Sequence, residues 1–170
     1  MGAVDRTAAS APAARFRGQR RIAMPGRSGD AALHVEAGEI VGLAGLAGHG
    51  QKETLRRIYE ASRTRRDAGC AVTGNAAYVS GDRQKEGIFP LWSIALNITV
   101  ASMRRLAHAG FIGDGEETQL AEGWRQKIAI RSPGTTQSIL SLSGGNRQKV
   151  LVARAFATDS EIILFDDPTR

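Results

Sequence analysis

Hydrophobic and polar positions along the chain fall into segments of two different periods. Residues 31–45, "AALHVEAGEIVGLAG", alternate at first and then run apolar, the pattern of an edge strand feeding a buried parallel strand. Gly48, His49 and Gly50 break that run. In "QKETLRRIYEAS" the period lengthens, so that Leu55, Ile58 and Tyr59 share one helical face while Arg56 and Arg57 turn outward. "NAAYVSGDR" predicts a second short strand ending in a polar loop, and "KEGIFPLWS" continues irregularly through Pro90. Helical spacing returns in "SIALNITVASMRRLAHAG", stopped at Gly110, and in "EETQLAEGWRQKIAI", which ends before Pro133. A further helix, "NRQKVLVARAFAT", carries Val150, Leu151, Ala153, Phe156 and Ala157, and "EIILFDDPTR" reads as a buried strand with an acidic tip. Strands alternating with helices predict an α/β fold with a mainly parallel sheet, and residues 93–130 predict an all-helical insertion.

Composition narrows this picture only a little. At 170 residues the chain is the size of one domain, and such a domain buries roughly two-thirds of its unfolded surface. An apolar share of 42% and a charged share of 24% are those of a globular protein rather than a disordered or fibrous one. The net charge of +6 is spread over "RFRGQRR", "RTRR", "MRRL" and "NRQK", which describes a solvated arginine-rich surface more than a single nucleic-acid face. One cysteine, Cys70, forms no internal disulfide and fits a reducing compartment. The first residues are small, polar and basic without an apolar segment, so residues 1–30 read as a flexible tail and the start of a β-subdomain and not as a secretory signal. No apolar run reaches the ~20 residues of a membrane span.

Three stretches carry candidate chemistry. Against G-x-x-x-x-G-K-[ST], Gly45 and Gly50 take the glycine positions, Gln51 stands at the lysine and Lys52 at the hydroxyl. Backbone amides at the glycine turn and the positive end of the next helix still attract phosphate. The point charge and the oxygen ligand for magnesium are missing, and Lys52 lies one residue late, a rotation of about 100° on a helix, so it is not counted as a substitute. The loop by itself reads equally as a phosphate cradle or as a structural turn. In "LSLSGGNRQKVLVARAF", Ser143, Gly144 and Gly145 lead directly into a helix whose first-turn amides suit a phosphate presented from outside; an ordinary serine cap explains Ser143 alone. In "IILFDDPTR", Asp166 ends an apolar strand where a magnesium-bound water can be held, and Asp167 follows where it can orient an attacking water. Either aspartate could instead cap a turn before Pro168.

Taken in this order, the three stretches resemble the nucleotide-binding domain of ATP-binding cassette (ABC) transporters over about residues 31–170. "LSGGNRQK" is similar to the family's signature, "IILFDDPTR" to its Walker B strand and "GLAGLAGHGQKE" to a degenerate Walker A loop. "AYVSGDRQKEGIF", "KIAIRSPGTTQSILSLSGGN" and "DPTR" resemble, more narrowly, the C-terminal cassette of two-cassette sugar and nucleoside importers. The resemblance implies a P-loop NTPase-like sheet with a helical subdomain over about residues 82–145, and a dimer of cassettes in which each ATP lies between the Walker motifs of one and the signature of the other. By the same implication Gly45, Gly48, His49, Gly50, Gln51 and Lys52 line the phosphate loop, Asp166 holds magnesium and Asp167 is the catalytic carboxylate. Ser143, Gly144 and Gly145 face the γ-phosphate of the partner's ATP. Implied partners are a second cassette, transmembrane permease subunits and, indirectly, a periplasmic or extracellular solute-binding protein; no nucleic acid is expected. The implied place is cytoplasmic, at the inner face of the membrane.

Several departures qualify that implication. Asp167 is one methylene shorter than the family's glutamate, and Gly81 stands where the loop coupling to the membrane subunit has glutamine or glutamate. The antiparallel segment before "AYVSGDR" is short, and the expected D-loop and switch histidine do not follow Walker B before Arg170, as in a truncated cassette. A lost charge-assisted contact costs roughly 1.5–3 kcal/mol in binding, whereas lost preorganised groups cost about 100-fold or more in rate. The expectation is binding without turnover at this loop, with the signature helix completing a competent site on another cassette. A nucleoside or other small-solute importer, a soluble nucleic-acid-associated ABC ATPase and an inactive remnant are the alternative readings.

Overall fold

The computed structural model describes residues 18–26, 32–46, 48–65, 67, 69–81, 87–108, 110–113 and 115–167. The alanine-rich tail, residues 82–86 of the polar loop and the closing "PTR" lie outside the described residues.

The chain begins with β1 (Arg20–Met24), which pairs antiparallel with β2 (Leu33–Glu36). Helix α1 (Gln51–Thr64) follows the glycine turn. It buries Ile58 and leans Leu55 and Tyr59 against the same cluster, as the helical spacing predicts. Arg56 is exposed, but Arg57 is not simply solvated: its Nη2 donates to Asp67 at 2.9 Å. The short β3 (Ala71–Val72) closes a three-stranded sheet in the order β2-β1-β3. Ile22, Ile58, Ala61, Cys70, Ile162 and Leu164 form the core between this sheet and α1.

Strand β4 (Ala76–Val79) opens the second half. Next come α2 (Ile94–Thr99), a 3-10 turn at Val100–Ser102 and α3 (Met103–Leu106). A hairpin of β5 (Ala107–His108) and β6 (Phe111–Ile112) separates these from α4 (Glu116–Lys127). Helix α5 (Gly144–Ala157) leads to β7 (Ile162–Phe165), which pairs in parallel with β4. Among the described residues this pair is the parallel part of the structure. Ile94, Ile98, Ala121, Ile139, Val150 and Ala153 form a second core among α2, α4 and α5.

Two sequence expectations are corrected here. The apolar run at residues 39–45 is not a paired strand: Ile40 is 98% exposed and Val41 41%. An apolar run is buried as a strand only where a neighbour meets its backbone, and among the described residues no strand pairs with this run. The stretch "SIALNITVASMRRLAHAG" is not one helix either. Thr99 Oγ1 turns back to the carbonyl of Ala95 and to Glu117, Ser102 Oγ donates to the carbonyl of Ala157, and the helix tightens into a 3-10 turn there. Gly110, at φ 88, makes the hairpin turn instead of a helix stop.

Arg154 holds the two halves of this region together. Its guanidinium donates to the carbonyls of Asn97 and Gly87, both at 2.6 Å, and to Asn97 Oδ1 at 3.0 Å. Burial alone pulls its pKa down to about 10. No helix among the described residues is long and apolar enough to cross a membrane.

Candidate functional site

The glycine turn is built as its sequence requires. Gly48 and Gly50 adopt φ 86 and φ 90, a region that favours glycine, and Gly50 is the N-cap of α1 without a side-chain cap. At Gly45 a Cβ would press on the end of the Gln51 side chain, which would have to move aside. The Gln51 amide folds back over the turn and donates to the carbonyl of Leu46 at 3.3 Å. At the lysine position the side chain therefore closes the loop on itself rather than offering a charge. His49 is exposed, its amide bonded to the Leu46 carbonyl at 3.1 Å.

Lys52 lies on the other side of the helix start, and its placement revises the sequence reading. The rotation of about 100° from Gln51 turns it toward the tip of β7, where Nζ reaches Asp166 Oδ2 at 3.3 Å. Asp166 is buried, and its amide continues the parallel ladder by bonding the carbonyl of Val79 at 3.0 Å. The same Oδ2 accepts from the Tyr78 hydroxyl at 2.8 Å. Burial disfavours the Asp166 charge, but hydrogen bonds from Tyr78, Lys52 and the Gly81 backbone, with the Lys52 charge, outweigh it and hold the carboxyl below its usual range. Tyr78 is pushed up to about 12 by burial and then by the bond to Asp166 and its charge, with Arg56 working against both.

Gly81 is explained by this corner. A Cβ there would approach the carbonyl oxygen of Asp166 to 2.9 Å and Asp167 Cβ to 3.2 Å. A glutamine or glutamate at this position is incompatible with the local packing. Asp167 is exposed and sits at φ 47, in the left-handed region.

The donors around Asp166 do not fit a divalent ion held by this chain. Magnesium beside a nucleotide is held by one or two protein oxygens, with phosphate and water completing a near-octahedral shell at about 2.1 Å, and here the Asp166 carboxylate is shared with an ammonium instead. The position that should supply a hydroxyl supplies an ammonium, and three donors already converge on the carboxylate.

Ser143, Gly144 and Gly145 are exposed at the start of α5. Ser143 is the N-cap of α5 without a side-chain cap bond; its Oγ accepts from Asn146 Nδ2 at 3.1 Å, and Asn146 Oδ1 accepts from the Arg131 amide at 2.9 Å. A Cβ at Gly144 or Gly145 would meet nothing within 4 Å, and neither has a positive φ. Two glycines in a first helical turn, with room for side chains, have no internal reason to be glycine.

The structure thus joins Lys52 to Asp166 and leaves Ser143–Gly145, numbered 143–145, on a separate exposed edge. Tyr78 was not singled out by the sequence, because its role depends on the β4–β7 register that puts it opposite Leu164, two residues before Asp166.

Comparison with known proteins gives three results. Residues 29–170 match the model of the ABC transporter family. The ribose import ATP-binding protein RbsA 3 of Rubrobacter xylanophilus is 37% identical over 155 residues, covering 83% of this chain and 31% of the relative. The arabinose import ATP-binding protein AraG 1 of Burkholderia cenocepacia is 36% identical over 155 residues, covering 82% and 31%. The chain therefore spans about a third of the length of the curated relatives it matches. A solved ABC transporter in an inward-facing conformation shares the fold, with a TM-score of 0.67 at 19% identity over 89% of this chain and 61% of that one.

Proposed function

Since the chain belongs to the ABC transporter family, we propose that it is an ATP-binding part of a carbohydrate importer, acting in a pair of cassettes. Its Ser143–Gly145 edge, residues 143–145, completes the ATP site of the partner cassette. The observation that carries this reading is the pair of glycines at the head of α5, exposed and sterically unconstrained by their own fold. Each costs helix stability, by up to about 1 kcal/mol, and a ligand brought in by another molecule needs the close backbone approach that they permit. The names of the relatives, ribose and arabinose import ATP-binding proteins, support sugar as the transported class.

In the paired site, Ser143 Oγ and the amides at the start of α5 hold the terminal phosphate, and the partner's own loop supplies the lysine, the magnesium ligands and the attacking water. Magnesium enters this reading there, with the partner's nucleotide. Electrostatic stabilisation of the phosphoryl oxygens is the part this chain contributes, a contribution worth on the order of 100-fold in rate or more. At its own loop, the Gln51 closure and the short Asp167 leave nucleotide binding without efficient hydrolysis.

The permease is the second partner in this reading. Leu91 is 95% exposed beside Phe89, which stacks on Trp92 with ring centroids 4.4 Å apart, at the head of the helical part. That apolar edge suits a helix of a membrane subunit and supports a position at the inner membrane face; in this reading the solute-binding protein acts through the permease. The test is ATP hydrolysis by this full chain mixed with a cassette that has an intact phosphate loop and glutamate. Stimulation that Ser143→Arg abolishes is expected; no stimulation, or stimulation indifferent to Ser143→Arg, overturns the reading.

A further inference from the structure

Lys52 occupies the loop position at which a magnesium-dependent site keeps a hydroxyl, and its ammonium is already seated 3.3 Å from Asp166. We propose that this lysine replaces the divalent cation, so that the loop of this chain takes the free nucleotide and does not require its magnesium complex. The inference rests on the reading of the loop as a nucleotide site.

Three physical points lead to it. Phosphate brought to the α1 start meets Asp166 close by, and a bare carboxylate would repel it; a cation between the two is needed. Lys52 provides that charge from within the chain, without dehydrating an ion. A magnesium ion placed beside Asp166 would have to displace the ammonium or lie against it, a like-charge contact of a double with a single charge. Arg56 stands one turn further along α1 and hydrogen-bonds the Tyr78 hydroxyl, so a second cation stands near the Lys52–Asp166 pair before any ligand arrives. The pairing geometry also fits: the ion pair is open on the lysine side, whose side chain is 44% exposed, and closed on the aspartate side at 11%.

The experiment is calorimetric titration of the full chain with ATP, once in EDTA and once in magnesium chloride at matched ionic strength. ATP is expected to bind in EDTA at least as tightly as in magnesium. In Lys52→Ser, binding in EDTA should weaken, and magnesium should then strengthen it by about tenfold. Lys52→Arg, which keeps the charge, should retain the parent's indifference to magnesium, and Lys52→Gln serves as the neutral variant if Lys52→Ser does not fold. Binding by the parent only with magnesium, or the same magnesium dependence in parent and neutral variant, overturns the inference while leaving the loop a nucleotide site. Absence of binding in both media overturns the inference and the nucleotide reading of the loop together.

Discussion

The Tyr78 hydroxyl donates to Asp166 Oδ2 at 2.8 Å and so ties the middle of β4 to the acidic tip of β7. Tyr78→Phe removes one of three donors from a buried carboxylate. It should destabilise the chain by about 1–2 kcal/mol in urea denaturation; a change indistinguishable from zero would mean that Lys52 and the Gly81 amide hold the corner unaided.

Burial of Tyr78, reinforced by that bond, has a pH signature. Tyr78 titrates at about 12 in the folded chain against an ordinary 10.0. Its contribution is therefore whole below pH 10 and is lost as pH rises through about 12. Spectrophotometric titration should find one of the two tyrosines ionising late, and Tyr78→Phe should remove that late phase.

Gly81 is expected to tolerate no side chain. Gly81→Ala puts a Cβ 2.9 Å from the Asp166 carbonyl oxygen, and relief of that overlap should cost about 1–3 kcal/mol. Gly81→Gln, the residue type of the wider family, should be at least as destabilising in thermal melts.

Glycines of the two motifs should respond in opposite senses. Gly48→Ala forces alanine to φ 86, at a cost of about 1–2 kcal/mol. Gly145→Ala, in open helical space, should leave stability unchanged or raise it by up to about 1 kcal/mol while weakening stimulation of a partner cassette. Loss of stability in Gly145→Ala would assign that glycine to the fold instead.

Much of this fold is legible in the sequence wherever one element decides its own burial. The spacing of Val150, Ala153 and Ala157 places α5 in the core, and Leu55, Ile58 and Tyr59 place α1. Residues 39–45 fail as a strand because burial of an apolar run depends on a neighbour that the run itself does not encode, and Ile40 stays exposed. Gly110 signals a break but not which kind: the back-bonded Thr99 and the anchored Ser102 end the helix earlier, leaving the glycine to a hairpin. At the site, the glycines and aspartates are legible as motifs, but Lys52 is not. Its target, Asp166, is 114 residues away and becomes reachable only when α1 packs against β4 and β7.

The central claim is that Ser143, Gly144 and Gly145 meet a nucleotide held by another cassette. It is tested most directly with an ATP analogue carrying a photoreactive aryl azide on its γ-phosphate, loaded on a partner cassette with an intact loop and mixed with this chain. After irradiation and tryptic digestion, the label is expected on the peptide that ends at Arg147, and only when the partner is present. Labelling confined to the peptide that ends at Lys52, or none on this chain, would contradict the account.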